Sequence, residues 1–117
     1  FPTRRSSDLT RFFSVADDGD EVVGYAGCFC PGEGVESDIL TVGVIPSHRG
    51  RGIAREFIAQ MEQWSRDRKA SAMMLEVKVD NVEAIGLYKS MGYLPISIRM
   101  DYFGPGLDAQ VMRKELS

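Results

Sequence analysis

Apolar positions along this chain change period several times, and each change predicts a new element. Between Arg11 and Asp17 the residues Phe12, Phe13 and Val15 lead to the cluster Asp17-Asp18-Gly19-Asp20, and Glu21 to Cys30 is rich in Val, Tyr and Phe. Two β-rich runs about such a turn predict a hairpin. Pro31-Gly32-Glu33-Gly34 marks a second turn, after which Ile39, Leu40, Val42, Val44 and Ile45 predict a buried central strand over Ser37–Ile45. Gly43 interrupts that strand and marks either a bulge or the close approach of another group. From Gly50 to Lys69 the spacing becomes helical: Ile53, Ala54, Phe57, Ile58, Met61 and Trp64 form the stripe, with Arg55, Glu56, Gln60, Glu62, Gln63 and Arg66 elsewhere. Met61 and Trp64 are therefore expected in the core. Ala72 to Val79 is a second buried strand carrying Glu76, and strand, helix, strand in that order predicts a right-handed parallel crossover. Asp80-Asn81 can cap a short helix with Ala84, Ile85, Tyr88 and Met91 on one face and Gly92 at its end. Tyr93–Phe103 with its internal Pro95, the turn Gly104-Pro105-Gly106 and Ala109–Leu116 read as strand, turn and strand, which completes a mixed α+β domain.

Composition sharpens this picture. At 117 residues and 44% hydrophobic, the chain is one domain with enough apolar surface for a core. A formal net charge of −3 argues against a nucleic-acid partner, and the absence of an 18-residue apolar run argues against a membrane span. Arg49 and Arg51 are then a local basic spot in an acidic chain. Cys28 and Cys30 share one face of a strand and are poorly placed to bridge each other, so reduced packing residues of a cytoplasmic protein are expected rather than a metal or redox pair. With a single histidine, His48, no triad or metal cluster can include a second His, so no metal is expected and His48 is assigned to a solvated loop. Arg66-Asp67-Arg68-Lys69 is assigned to a solvated helix end, where cations are favourable. The first nine residues, Phe1-Pro2-Thr3-Arg4-Arg5-Ser6-Ser7-Asp8-Leu9, have no apolar period and no signal-peptide h-region. They correspond to the translation of a common sequencing adapter, so residues 1–9 are expected to be non-native and residues 10–117 to form the domain.

The segment Val42-Gly43-Val44-Ile45-Pro46-Ser47-His48-Arg49-Gly50-Arg51-Gly52-Ile53-Ala54 joins a strand to a helix through a Gly- and Arg-rich loop. Gly50 and Gly52 let backbone N–H groups approach a ligand, Arg49 and Arg51 add positive charge, and the helix N-terminus adds its dipole. That arrangement suits a phosphate. A P-loop would end in Gly-Lys-Ser/Thr, and a dinucleotide fingerprint would place a third Gly at Arg55, so neither fits. The pattern Arg49-x-x-Gly52-x-Ala54 instead resembles the acetyl-CoA pyrophosphate loop of the GNAT family of N-acetyltransferases. Acetyl transfer from a thioester needs a neutral amine, donors for an oxyanion and a proton for the departing thiolate. Glu76, in an otherwise apolar strand, is a candidate proton acceptor or a strand-end carboxylate paired with a nearby Lys or Arg. Tyr88 is a candidate proton donor to the coenzyme sulfur or a core tyrosine. Asn81 can bond pantetheine amides or cap its helix, two roles that compete for one side chain.

Residues 36–116 are similar to the branch of that family that acetylates protein N-termini. The similarity runs through Thr41-Val42-Gly43-Val44, Arg49-Gly50-Arg51-Gly52-Ile53-Ala54, Leu75-Glu76-Val77, Asn81, Ala84-Ile85-x-Leu87-Tyr88 and Met91-Gly92-Tyr93. Ile98–Phe103, with Asp108-Ala109 and Val111-Met112, resembles the last two strands and their connection. The resemblance implies the GNAT acyl-CoA N-acyltransferase fold: α+β, a mixed central sheet with a splayed parallel strand pair and flanking helices, here lacking the first strand and first two helices. It implies a bulge near Gly43, Glu76 as general base, Tyr88 as general acid, Asn81 as a coenzyme contact and Tyr102 as a peptide contact. Backbone groups of Val42 and Val44 would serve the pantetheine and the oxyanion, and Arg49, Gly50, Arg51, Gly52, Ile53 and Ala54 the pyrophosphate. Acetyl-CoA is the implied cosubstrate. The implied partner is a protein N-terminus, the N-terminal alanine of a small-subunit ribosomal protein. Ala54 in place of the commoner Gly, and Asp101 and Phe103, depart from the family pattern. An α-amine has a pKa of about 8 against about 10.4 for lysine, so roughly a tenth of it is neutral at pH 7 and it asks less of a base. A relative acetylating lysine or a small amine, and a coenzyme-binding module without turnover, are the alternatives.

Overall fold

The computed structural model describes residues 1–116, and its elements follow the predicted order with one addition at the start. Thr3–Ser7 forms an edge strand, β1, in the stretch where no element was predicted; its side chains are mostly exposed, so apolar periodicity could not mark it. Next come β2 (Arg11–Asp17), β3 (Val22–Phe29), β4 (Glu36–Val44) and a 3-10 turn at Pro46–His48. Helix α1 (Ile53–Asp67), β5 (Ala72–Lys78), α2 (Val82–Ser90), β6 (Leu94–Arg99) and β7 (Ala109–Glu115) follow. All seven strands join one sheet in the order β1-β2-β3-β4-β5-β7-β6. Every neighbouring pair is antiparallel except β4 and β5, which α1 connects as a parallel crossover. No helix among the described residues is long and apolar enough to cross a membrane.

Period-two alternation decides which face of the sheet α1 covers. Phe12, Ser14 and Ala16 of β2 and Met73, Leu75 and Val77 of β5 are buried, as are Phe57, Ile58, Met61 and Trp64 of α1. Cys28 and Cys30 are buried free thiols, and burial pushes the Cys28 thiol up to about 12, which suits packing rather than reactivity. Polar positions of α1 are buried too, against the stripe pattern. Gln60 lies under β1 and donates to Thr3 Oγ1, while Glu62, only 4% exposed, accepts from Tyr93 Oη at 2.8 Å and from Lys114 Nζ at 3.0 Å. That network ties α1 to β7 and to the end of α2. The helix end at Arg66–Lys69 is also less free than expected: Arg68 stacks on Trp64 with its guanidinium carbon 4.2 Å from the ring centroid, and donates to the Leu9 carbonyl.

Three features of the sheet shape the space beside it. Parallel pairing of β4 with β5 covers only Glu36–Ala72, Ser37–Met73 and Asp38–Met74, after which the strands splay. The register against β3 slips between Gly27 and Cys28, which places the bulge at Leu40 rather than at Gly43. Gly43 has the other reason for a strand glycine: a Cβ there would lie 2.8 Å from Tyr25 Cε1 and Cζ, because the Tyr25 ring crosses it. Strand β6 ends at Arg99, short of the predicted Phe103, because Asp101 takes a positive φ of 54° and accepts from the Gly106 amide in a tight turn.

Replacing Glu62 with Ala would strand the buried Tyr93 hydroxyl and the partly buried Lys114 ammonium. The expected loss is about 2–3 kcal/mol of unfolding free energy, read from the urea midpoint, with a smaller loss for Tyr93→Phe. A Glu62→Ala midpoint equal to wild type would mean the network contributes nothing to holding α1 on the sheet.

Candidate active site

The loop after β4 is built around two glycines that only glycine tolerates well. Gly50 and Gly52 have φ of 78° and 82°, and Gly52 occupies the N-cap of α1 without any side-chain cap. Since Glu56 N–H is the first to bond back to Gly52 O, the N–H groups at the start of α1 have no intrahelical acceptor and open toward the adjoining cleft. Arg49 folds back so that its Nε donates to Val44 O at 3.1 Å, which fastens the loop to the strand end. The cleft has a volume of about 430 Å³ and is lined by Val42, Gly43 and Val44 of β4, the loop residues Arg49, Gly50 and Gly52, Ile53, Ala54 and Arg55 of α1, and Asn81, Ala84 and Tyr88 beside them. Arg51 stands apart. It lines a smaller neighbouring pocket, with its guanidinium carbon 6.0 Å from the Phe1 ring centroid.

A second cavity of about 260 Å³ occupies the splay itself, and Val42, Asn81, Ala84 and Tyr88 line both spaces. Here the two candidate proton-transfer groups meet. Tyr88 comes from the buried face of α2; Glu76 comes from β5, on the strand face opposite Leu75 and Val77. Burial pushes the Tyr88 phenol up to about 12, so it is a protonated donor at neutral pH. Its ring packs edge-on against Tyr93, with centroids 5.6 Å apart, and Tyr93 is itself anchored by Glu62. Asn81 caps α2 by accepting from Ala84 N–H at 3.1 Å through Oδ1. Because the cap uses only that oxygen, the side-chain NH₂ has no other partner among the described residues, and the two roles predicted to compete are compatible.

Several neighbours escaped the sequence reading. Arg99 Nη1 lies 3.3 Å from Glu76 Oε1, so Glu76 does pair with an arginine, as one of its two readings had it, though which one was not legible. The same guanidinium sits over the Tyr102 ring at 4.5 Å, and Tyr102 packs edge-on against Phe103, which lines the splay. Asp38, at the last paired position of β4 before the splay, has its carboxyl raised by burial first and then by Glu76 and Glu36. His48 is not a free solvated residue: its Nε2 is 3.3 Å from Asp18 Oδ2 and its Nδ1 is 2.9 Å from Ser47 Oγ. Neither Arg99 nor Asp38 carried a local signal: Asp38 reaches Glu76 through the β4–β5 pairing, and Arg99 reaches it from β6 across the intervening β7. The described residues contain no group of three or more His, Cys, Asp or Glu disposed to hold a metal.

The fold agrees with comparison to known proteins. The Acetyltransferase (GNAT) family matches residues 2–93, and the chain belongs to that family. The N-alpha-acetyltransferase RimI of Mycobacterium tuberculosis is 35% identical over 86% of this chain and 63% of its own length. The chain spans only 27% and 47% of two other curated relatives. Among solved structures, the ribosomal-protein-S18-alanine N-acetyltransferase of Escherichia coli superposes with a TM-score of 0.78 at 23% identity, over 96% of this chain and 72% of that one. A GNAT family acetyltransferase from Elizabethkingia anophelis with acetyl-CoA bound gives 0.80 at 14% identity, over 92% and 77%. At these identities the structural likeness is one of fold.

A phenol held at about 12 instead of its ordinary 10 stays neutral until strongly alkaline pH. The ultraviolet absorbance difference between wild type and Tyr88→Phe should therefore develop near pH 12. A difference developing near pH 10 would show that Tyr88 is solvated and not the buried donor described.

Proposed function

We propose that this domain transfers the acetyl group of acetyl-CoA to a protein N-terminal α-amine, the acceptor being the N-terminal alanine of a basic ribosomal protein of the small subunit. One observation carries the reading: Glu76 and Tyr88 line a single slot that continues from the cleft behind the glycine loop, with Tyr102 and Phe103 at its side. In this assignment the uncapped α1 N-terminus and the loop residues Arg49, Gly50, Gly52, Ile53 and Ala54 hold the pyrophosphate, while Arg51, expected with them, points to the neighbouring pocket. The pantetheine lies along β4, where the backbone of Val42 and Val44 has lost β5 as a hydrogen-bonding partner. Asn81 offers its NH₂ to a pantetheine carbonyl. Glu76 takes, directly or through water, the proton that the neutral acceptor nitrogen sheds once it has bonded to the acetyl carbon, and Tyr88 protonates the thiolate of coenzyme A as the tetrahedral intermediate collapses. Tyr102 contacts the acceptor peptide.

The acceptor class is supported by the likeness to the mycobacterial N-alpha-acetyltransferase, and by the modest demand an α-amine makes on a carboxylate base. The negative balance of the chain favours a basic peptide. Calorimetry should show acetyl-CoA binding, and an Ala-starting basic peptide should then be acetylated only when its N-terminus is free.

Two substitutions separate binding from chemistry. Gly52→Asp places a carboxylate and a strained positive φ in the anion cradle and should weaken acetyl-CoA binding at least about ten-fold. Glu76→Gln should leave that binding intact and lower the acetylation rate by about a hundred-fold. Transfer at the wild-type rate by Glu76→Gln would remove Glu76 as the base. Equal acetylation of N-terminally blocked, lysine-containing peptides would favour a lysine acetyltransferase instead.

A further inference from the structure

The carboxylate assigned to receive the acceptor's proton already has a cation beside it. Arg99 Nη1 is 3.3 Å from Glu76 Oε1, and Arg99 is the only cation among the described residues within ion-pair distance of Glu76. Its side chain is 55% exposed while that of Glu76 is 21% exposed, so the pair joins an exposed cation to a mostly buried carboxylate. Stacking on Tyr102 holds it there, at 4.5 Å from its carbon to the ring centroid. Lys78 lines the same slot and adds positive charge without pairing with Glu76. An amine that reaches the Glu76 carboxylate comes within a few ångströms of this guanidinium. A protonated amine meets a like charge a few ångströms away, in a setting less screened than bulk water, whereas a neutral amine does not.

We infer that Arg99 is a specificity-determining residue: its charge beside Glu76 discriminates against cationic acceptors and so favours α-amines over lysine side chains. The inference rests on the acetyl-transfer reading of Glu76 and deepens it, because selection by pKa follows from the pair and not from the shape of a peptide groove. An acceptor that is partly neutral at physiological pH escapes the repulsion in proportion to its neutral fraction. Lysine, whose neutral fraction there is below about one in a thousand, cannot. Asp38 on β4 is close enough to feel the charge of Glu76 and offsets part of the positive charge, which makes the discrimination graded rather than absolute.

The test uses the full chain with coenzyme A bound in place of acetyl-CoA, so that peptide binding is read by calorimetry without turnover. At about pH 9 an Ala-starting peptide without lysine is mostly neutral at its N-terminus, while an N-terminally blocked peptide with one lysine remains cationic. Arg99→Gln should tighten the lysine peptide about ten-fold and leave the Ala-starting peptide within about two-fold, and Arg99→Lys, which keeps the charge, should retain most of the wild-type discrimination. Arg99 is exposed at a strand end, so neither variant is expected to disturb folding. Equal changes for both peptides, no change for either, loss of discrimination in Arg99→Lys, or no binding of either peptide to any form would overturn the inference. Acetylation of the Ala-starting peptide from acetyl-CoA is scored separately: binding without transfer would sink the catalytic reading while the peptide ratio still decides the role of Arg99.

Discussion

The candidate site depends on three residue pairs of parallel β-ladder and on the fact that there is no fourth. Glu36, Ser37 and Asp38 pair with Ala72, Met73 and Met74, and beyond that point β4 and β5 part. An interrupted ladder leaves backbone N–H and C=O groups of β4 unpaired on one side, which in a closed interior would cost free energy. It is tolerated because the gap is a slot open to solvent and ligand. The bulge at Leu40 begins the divergence, and α2, capped by Asn81, closes one end of the gap. A sheet with β4 and β5 zipped to their ends would have no cavity between Val42 and Glu76.

Around that slot, short-range and long-range forces do different work. The anion cradle is local: two glycines at positive φ, an uncapped helix start and one arginine fastened to Val44 O lie within a few residues of each other. The proton-transfer pair is assembled from distant parts of the chain. Tyr88 owes its raised phenol pKa to the core in which α2 is seated, and its ring rests on Tyr93, which Glu62 and Lys114 hold from α1 and β7. Tyr88 is thus positioned by a buried polar network whose members, Glu62, Tyr93 and Lys114, are not among the residues that line the cleft.

Glu76 has the opposite character. It is only half-buried, lies on the strand face away from the packed side of β5, and is surrounded by charge rather than by hydrocarbon: Arg99 on one side and Asp38 on the other. Its surroundings are therefore set by the order of strands in the sheet, since β7, the last strand in the chain, lies beside β5, and β6 lies one strand beyond it. Tyr102 links this charged cluster to the aromatic wall, because one guanidinium both pairs with the carboxylate and stacks on the ring.

The sequence by itself determined the elements and the loop. Helical spacing at Ile53, Phe57, Ile58, Met61 and Trp64 placed α1 on the sheet, β-rich runs between turn clusters placed β2 through β7, and Arg49-x-x-Gly52-x-Ala54 marked the anion loop, because such signals are carried by neighbours in the chain. Glu76 and Tyr88 were legible as an acid in an apolar strand and a tyrosine on a packed helix face. Tertiary structure alone decided what surrounds them. Periodicity assigned Glu62 to the outer side of α1, yet a tyrosine and a lysine from later elements make its burial tolerable; it marked His48 as solvated, yet the β2–β3 turn brings Asp18 to it. Gly43 kept two readings in sequence, and the Tyr25 ring chose between them. β1 was invisible because an exposed edge strand held by backbone hydrogen bonds needs no apolar pattern, and although a Lys or Arg partner for Glu76 was one of its two readings, Arg99 could not be picked out because 23 residues and an intervening strand separate the two.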